Sequence, residues 1–240
     1  MAGLALTAES FGIYMLSAVG MTVFCVCWMY AYRTEAYIFL NIFTMLGTII
    51  TCILGFIFYD EPIRWNQWLG MVILLGAVMI MSKYNRELKG KFTLKGILIL
   101  ILGCTGSAVA DFSQKVYMAE VGESAAVYNF YGYGFGFVML AIAMIVMNLL
   151  GDKNVLTPAV ISKKNVFIYF AMSACLFLNT TTKTLAAGLL STAQIYPVLQ
   201  GANLIVSILM AHILFHERIN WKSIAGICCA FAGLMVMRML

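Results

Sequence analysis

The sequence predicts an all-α, polytopic membrane helix bundle of about eight transmembrane helices. Three observations predict it. First, the 240 residues are 63% hydrophobic and only 10% charged, whereas a soluble domain carries roughly 25% charged residues. Second, the apolar residues fall into runs of the length, about 20 residues, that a helix needs to cross a bilayer. Third, one stretch occurs twice without a gap. Glu61, Ile63, Trp65, Gly70, Met79 and Met81 recur as Glu217, Ile219, Trp221, Gly226, Met235 and Met237, an offset of 217 − 61 = 156. A repeat at fixed offset marks a folding unit. Each copy here is a polar loop with an acid and an interfacial Trp, leading into a Gly-containing apolar segment.

The runs span 11–32, 37–59, 65–82, 94–117, 126–150, 166–187, 190–215 and 221–239. Lipid cannot hydrogen-bond backbone groups, so segments this long and apolar must be helices. The first run stops at Arg33, Thr34 and Glu35, and the second at Asp60, Glu61 and Pro62. The third starts on Trp65 and gives way to the polar stretch 82–95. The fourth and fifth are divided by 119–125, and the fifth and sixth by 151–165. The seventh carries Pro197, and the eighth starts on Trp221.

With the same offset Phe11 meets Phe167, Ala31 meets Ala187 and Thr51 meets Ser207. The first three helices therefore map onto the last three. The fourth and fifth have no earlier counterpart. The expected organisation is an N-terminal repeat over 1–82 and a C-terminal repeat over 93–240, a 3 + 5 version of a five-helix unit used twice. An odd number of crossings inverts the second copy. On this reading the chain is a ten-helix architecture shortened at its N-terminus. No basic n-region or cleavage pattern precedes the first apolar run, so no signal peptide is expected.

Charge placement gives an orientation. Arg33, Lys83, Arg86, Lys89, Lys91, Lys95, Lys153, Lys163, Lys164, Arg218 and Lys222 share one side by helix parity. Arg64, Lys115, Lys183 and Arg238 fall on the other. Cytoplasmic loops concentrate Lys and Arg, so the 82–95 linker is expected in the cytoplasm and both termini outside. The net charge of +5 is thus a topology signal, and nucleic acid is not expected as a partner. All seven cysteines lie inside apolar runs, where Cys acts as a small hydrophobe; neither a disulfide framework nor a metal knuckle is expected.

Tyr196-Pro197-Val198, the acid at the end of the same helix (Phe215, His216, Glu217), then Ile219, Trp221, Gly226 and Gly233 resemble the C-terminal half of an EamA-like transporter of the drug/metabolite transporter superfamily. Asp60, Glu61 and Pro62 with Gly70 and Gly76 resemble the same signature closing an N-terminal half. The resemblance implies ten helices in two inverted five-helix repeats, a central cavity, and movement of small metabolites by alternating access. The chain departs from that pattern in lacking the first two helices and in having Asn41 opposite Pro197. It also departs in a Lys/Arg distribution that places the termini outside, where the family places them in the cytoplasm.

Several residues are candidates for the chemistry. Asp111 and Lys115 lie four apart on the fourth helix, so they share a face and can pair. Charges within a span cost about 2.5–3.5 kcal/mol on insertion scales and tend to face cavities or partners. Asp111 is therefore either a cavity group or half of a self-neutralised pair. Asn179, three threonines and Lys183 form a polar run late in the sixth helix. Lys183 has no acid three or four residues away, so it either counters an anionic substrate or reaches the headgroups. In the seventh helix Gln194, Gln200 and Asn203 flank Pro197, which frees a backbone carbonyl; kinked midplane helices commonly form transporter sites. By the repeat, Asn41 and Thr44 are matching positions. The aromatic and Gly-rich run 128–136 reads chiefly as helix packing and an interface belt, with Tyr128 and Asn129 placed to reach a cavity. Glu61 and Glu217 are expected to cap the helices that follow them. His212 and His216 have metal-like spacing but no third ligand, and neither metal nor cofactor is expected.

The function expected is a secondary transporter that moves a small organic metabolite or drug across the plasma (cell) membrane, as a multi-pass protein and not an enzyme. Its expected substrate-binding residues are Asp111, Lys183, Gln194, Gln200, Asn203, Asn179 and Tyr128. The partners are a small-molecule substrate and the lipid bilayer, with a homodimer left open. The alternative is a non-transporting membrane subunit or truncated remnant of such a carrier. A membrane enzyme is the weaker third option, since Asp111, His212 and His216 lie on different helices.

Overall fold

A computed structural model describes residues 8–35, 37–89, 94–122, 124–151, 163–213 and 221–238. Among these residues the chain forms eight α-helices and no strand. They are α1 (Ala8–Thr34), α2 (Tyr37–Tyr59), α3 (Trp65–Lys89), α4 (Leu94–Glu120), α5 (Ala125–Leu149), α6 (Lys163–Leu189), α7 (Thr192–Ile213) and α8 (Trp221–Arg238). Four of them contain stretches long and apolar enough to cross a membrane: Ser10–Arg33, Phe39–Tyr59, Leu94–Glu120 and Ala125–Leu149. α3 and α8 contribute shorter apolar stretches, Trp65–Met81 and Ile224–Met237. The large apolar side chains left exposed, among them Phe56, Val72, Phe137 and Phe170, form the surface a bilayer covers. The chain is a multi-pass helical membrane protein.

The elements end where local chemistry stops them. α2 breaks at Asp60, whose φ of 49° is a left-handed conformation that Asp tolerates. α4 closes on Gly122 at φ 65°, with the Gly122 N–H returning to the Tyr117 carbonyl at 3.0 Å; glycine takes that conformation without steric cost. α3 continues to Lys89, past the expected end at 82, because the polar segment that follows the apolar run is still built of good helix formers such as Arg86, Glu87 and Leu88.

Two close helix pairs frame the bundle. α1 lies between α4 and α5, and α3 lies along α8. The α1–α4 approach is set by glycines: a Cβ on Gly20 would sit 2.7 Å from the Gly106 carbonyl oxygen, and a Cβ on Gly106 2.7 Å from that of Gly20. Small residues at such crossings let helix backbones touch. Across α3–α8 the contacts come in exchanged pairs. Gly70 faces Met237 and Gly226 faces Met81, positions that interchange under the 156-residue offset. Cys229 Sγ reaches the carbonyl oxygen of Ile73, its own repeat mate, at 3.5 Å. At this crossing α3 and α8 thus make local contacts that interchange under the offset.

The main core joins α2, α3, α4 and α8 through Phe39, Leu40, Met45, Leu74, Met81, Leu100, Leu234 and Met237. A second cluster of Tyr14, Tyr117 and Tyr128 ties α1, α4 and α5 together. α6 is held lightly by contrast, with every described residue from Val166 to Asn179 at least partly exposed.

Candidate functional site

The short connections place the ends of α2, α4 and α6, and the starts of α3, α5 and α7, at one end of the bundle. Glu61 lies there; Tyr32, late in α1, lies at the other end. A cavity of about 470 Å³ runs between α1, α2, α4, α5, α6 and α7. Its lining extends from Gln114, Lys183 and Tyr128 to Tyr32, Asn41 and Val206. Beyond Gln114 and Lys183 the space between α2, α4 and the inner face of α7 is filled. Cys52, Ser113, Tyr117, Ala187, Thr192 and Tyr196 are all buried between the cavity and the Glu61 end. The cavity is thus shut at the Glu61 end and reaches the half-exposed Tyr32 at the other.

The structure brings six of the seven expected binding residues to this cavity: Asp111, Lys183, Gln200, Asn203, Asn179 and Tyr128. Gln194 lies elsewhere, in a second, mostly apolar cavity of about 420 Å³ between α6 and α7 that shares only Asn179 and Lys183 with the first. Its Oε1 faces the Ser191 N–H at 3.4 Å, next to the start of its helix. The repeat-derived Asn41 and Thr44 line the central cavity too, as does Asn129. Ser17, Trp28, Gln114 and Tyr133 also line it and were not expected from sequence. One signal was present for Gln114. Ser107, Ala110, Asp111 and Gln114 follow i, i+3, i+4, i+7 spacing, a single stripe on α4.

Asp111 does not pair with Lys115. Its Oδ1 forms an ion pair with Lys183 Nζ, joining α4 to α6 across the cavity. The i, i+4 spacing permits an Asp111–Lys115 pair, but the helix crossing offers each charge a better partner. Tyr196 braces the pair twice: its hydroxyl donates to the Asp111 backbone carbonyl at 2.7 Å, and its ring lies 5.4 Å below the Lys183 ammonium. The Tyr128 hydroxyl donates to Ser17 Oγ at 2.9 Å and lies 2.6 Å from Ser113 Oγ. Asn129 Nδ2 donates to Thr181 Oγ1 at 3.0 Å. Gln114, although 95% buried, has an Oε1 with no hydrogen-bond partner among the described residues.

The threonine run in α6 bonds largely to its own helix. The hydroxyls of Thr180, Thr181, Thr182 and Thr184 donate to the carbonyls of Leu176, Phe177, Leu178 and Thr180 at 2.7–2.9 Å. Such back-bonding satisfies a hydroxyl that would otherwise be costly in an apolar setting.

Glu61 caps a helix, though not the one expected. α3 is capped from within, by Gln67 Oε1 accepting from the Arg64 N–H at 2.8 Å. Glu61 reaches instead to the start of α7, where Oε2 accepts from the Thr192 N–H at 2.8 Å and its hydroxyl at 2.7 Å. Its Oε1 pairs with Lys115 Nζ at 2.9 Å. Lys115 in turn donates to the Leu190 carbonyl, just past the end of α6, at 3.0 Å. An anion at the N-terminus of one helix and a cation at the C-terminus of another both complement the helix dipole, and here the two capping side chains also neutralise each other. Burial pushes the Glu61 carboxyl up, but the hydrogen bonds from Thr192 and Lys115 more than offset this and hold it below its ordinary value. Glu217 and His216 lie outside the described residues, as does the His212 side chain. Among the described residues no group of three His, Cys, Asp or Glu side chains is arranged to hold a metal.

No curated protein matches the chain. Residues 4–83 match the EamA-like transporter family, of the drug/metabolite transporter superfamily, whose members are associated with membrane transport of small molecules. The match takes in α1, α2 and most of α3, the helices that supply Ser17, Trp28, Asn41 and Thr44 to the cavity. Over these first three helices, one third of its length, the chain is similar to the EamA-like transporter family.

Proposed function

We propose that the chain is a secondary transporter that moves a small organic metabolite or drug by alternating access, without covalent chemistry. The observation that carries this reading is the cavity of about 470 Å³, shut at one end, with the Asp111–Lys183 pair at its inner limit. A charge pair inside an apolar bundle is costly unless it faces a partner or a cavity. Here it faces both, and a solute with a charge of its own can compete for either member. Asp111, Lys183, Asn179, Tyr128, Gln200 and Asn203 are the proposed substrate-binding residues. Gln194 takes part from the adjoining groove. The Lys/Arg distribution favours the Tyr32 end facing the cytoplasm, and on this reading the carrier lies in the plasma membrane with its cavity open inward.

The test is transport by the purified chain in sealed liposomes. Radiolabelled amino acids, nucleotide-derived metabolites and organic cations serve as the panel. Asp111→Asn and Lys183→Met are each expected to abolish uptake of whichever solute the parent carries, with insertion into the membrane intact. Normal transport in both variants would sink the cavity assignment.

A further inference from the structure

We infer that the corner between α6 and α7 is the moving closure of the central cavity, latched by Glu61, Lys115 and Thr192; this rests on the transport reading above. The corner stands at the end where the cavity is shut. α4 fastens to it at two levels one helical turn apart. The inner level is Asp111–Lys183 with the Tyr196 hydroxyl on the Asp111 carbonyl. The outer level is Lys115 on Glu61 and on the Leu190 carbonyl, with Glu61 on Thr192. These are hydrogen bonds and ion pairs, which water can replace when they part. The α1–α4 and α3–α8 crossings are of another kind: backbone meets backbone through glycine, and separation would open voids.

Two further features suit a closure. Pro197 stands five residues into α7 from Thr192. It cannot donate the backbone bond that would tie it to the first turn, so that turn can tilt against the rest of the helix. The joint also leaves no slack on its far side. A Cβ on Gly55 would lie 2.5 Å from Thr192 Oγ1 and 3.0 Å from Glu61 Oε2, so α2 and α7 meet closely only because that residue is glycine. α6 itself is exposed at every residue from Val166 to Asn179 to at least some degree and can follow the corner outward.

The inner level also connects closure to cargo. A solute that binds Asp111 or Lys183 competes with the ion pair between α4 and α6, leaving the outer level to hold the corner alone. Glu61, Lys115 and Thr192 touch no solute in this scheme. They are positioning residues.

The experiment reads access to the cavity and needs no known solute. Ser107 lines the cavity one turn from Asp111, and none of the seven native cysteines does. A Ser107→Cys chain is reconstituted in sealed vesicles and treated with a membrane-impermeant maleimide from either side, with the parent chain as background. The reporter is expected to label from the Tyr32 end and to be protected from the Glu61 end. Glu61→Gln and Lys115→Met, which each remove a charge-assisted bond, are expected to raise labelling from the Glu61 end roughly tenfold or more. Thr192→Val, a near-isosteric change that loses one of the bonds to Glu61, is expected to give a smaller rise and serves as the readout if either charge variant fails to fold. Labelling from the Glu61 end that stays at the parental rate in the folded variants overturns the latch. Transport with unchanged labelling would keep the carrier reading and discard this one. Increased labelling without any transported solute would keep the closure and discard the carrier.

Discussion

Removing both charges of the Asp111–Lys183 pair should cost little more than removing one of them. Lys183 and Asp111 are 20% and 14% exposed, so each has given up most of its water. Unit charges about 4 Å apart attract by about 4 kcal/mol at an effective dielectric of ~20. That gain offsets desolvation only while both charges are present. Removing one partner of a buried pair costs about 3–5 kcal/mol, because the other is left charged and unpaired; the residual exposure here argues for about 2–3 kcal/mol. Lys183→Met should therefore destabilise the chain by about that amount, and Asp111→Asn by a similar or smaller one, since Asn still fills the space. The double variant should lie close to the less damaged single, giving a coupling of about 2 kcal/mol in the cycle. The assay is unfolding of the purified chain in mixed micelles by titration with a denaturing detergent. Strictly additive single effects, with a coupling below about 0.5 kcal/mol, would refute the idea that the two charges depend on each other.

Two other outcomes are expected. The ionised Glu61 carboxyl is favoured in the folded chain, so its stabilisation is complete above the ordinary value of 4.5 and is lost as pH falls through the lower folded value. Parental stability should hold from neutral pH down to about 4.5 and then decline, and Glu61→Gln should flatten that decline; an equal decline in the variant would count against the assignment. Gly70→Ala should cost about 1–3 kcal/mol, because its Cβ would lie 2.6 Å from the Gly233 carbonyl oxygen and 2.9 Å from the Met237 backbone nitrogen. Its repeat mate Gly226 meets the flexible Met81 side chain at 2.5 Å and Ile80 Cγ2 at an ordinary 3.7 Å, so Gly226→Ala should unfold at a higher temperature than Gly70→Ala. The reverse order would mean that the α3–α8 crossing is less tight than described.

The fold was legible because apolar run length fixes where a helix can cross lipid, and each of the eight expected segments has its helix. The one large boundary difference, α3 running on to Lys89, arises because hydropathy marks the part of a helix in lipid and not the helix itself. The exchanged contacts of Gly70 and Gly226 follow from the 156-residue offset, which the chain displays openly. Pairing was less legible. Spacing along one helix made Lys115 a candidate partner for Asp111, whereas the actual partners depend on how α4 crosses α6 and the 60–64 loop. A single sequence does not carry that register. The expected site residues stood out because they are polar in apolar runs. Trp28 and Tyr133 did not, since an aromatic residue in a membrane helix has the same appearance whether it faces lipid, a neighbour or a cavity.

The α6 threonines have a consequence for what the cavity can recognise. A hydroxyl whose hydrogen is already given to its own helix shows only lone pairs outward. Thr182 on the lateral groove is in this condition; Thr180 on the central cavity is too, and its oxygen already faces the Tyr133 hydroxyl at 2.5 Å. What looks in the sequence like a ribbon of versatile hydroxyls is therefore polarised in one sense. It accepts hydrogens, while Lys183, on the same helix, supplies them. On the transport reading proposed above, a molecule resting along α6 would bring its own N–H or O–H to the threonine wall and an acceptor to Lys183 in competition with Asp111, and turning it end for end would put acceptor against acceptor. The same hydroxyls that keep α6 satisfied in lipid thus give the wall a direction.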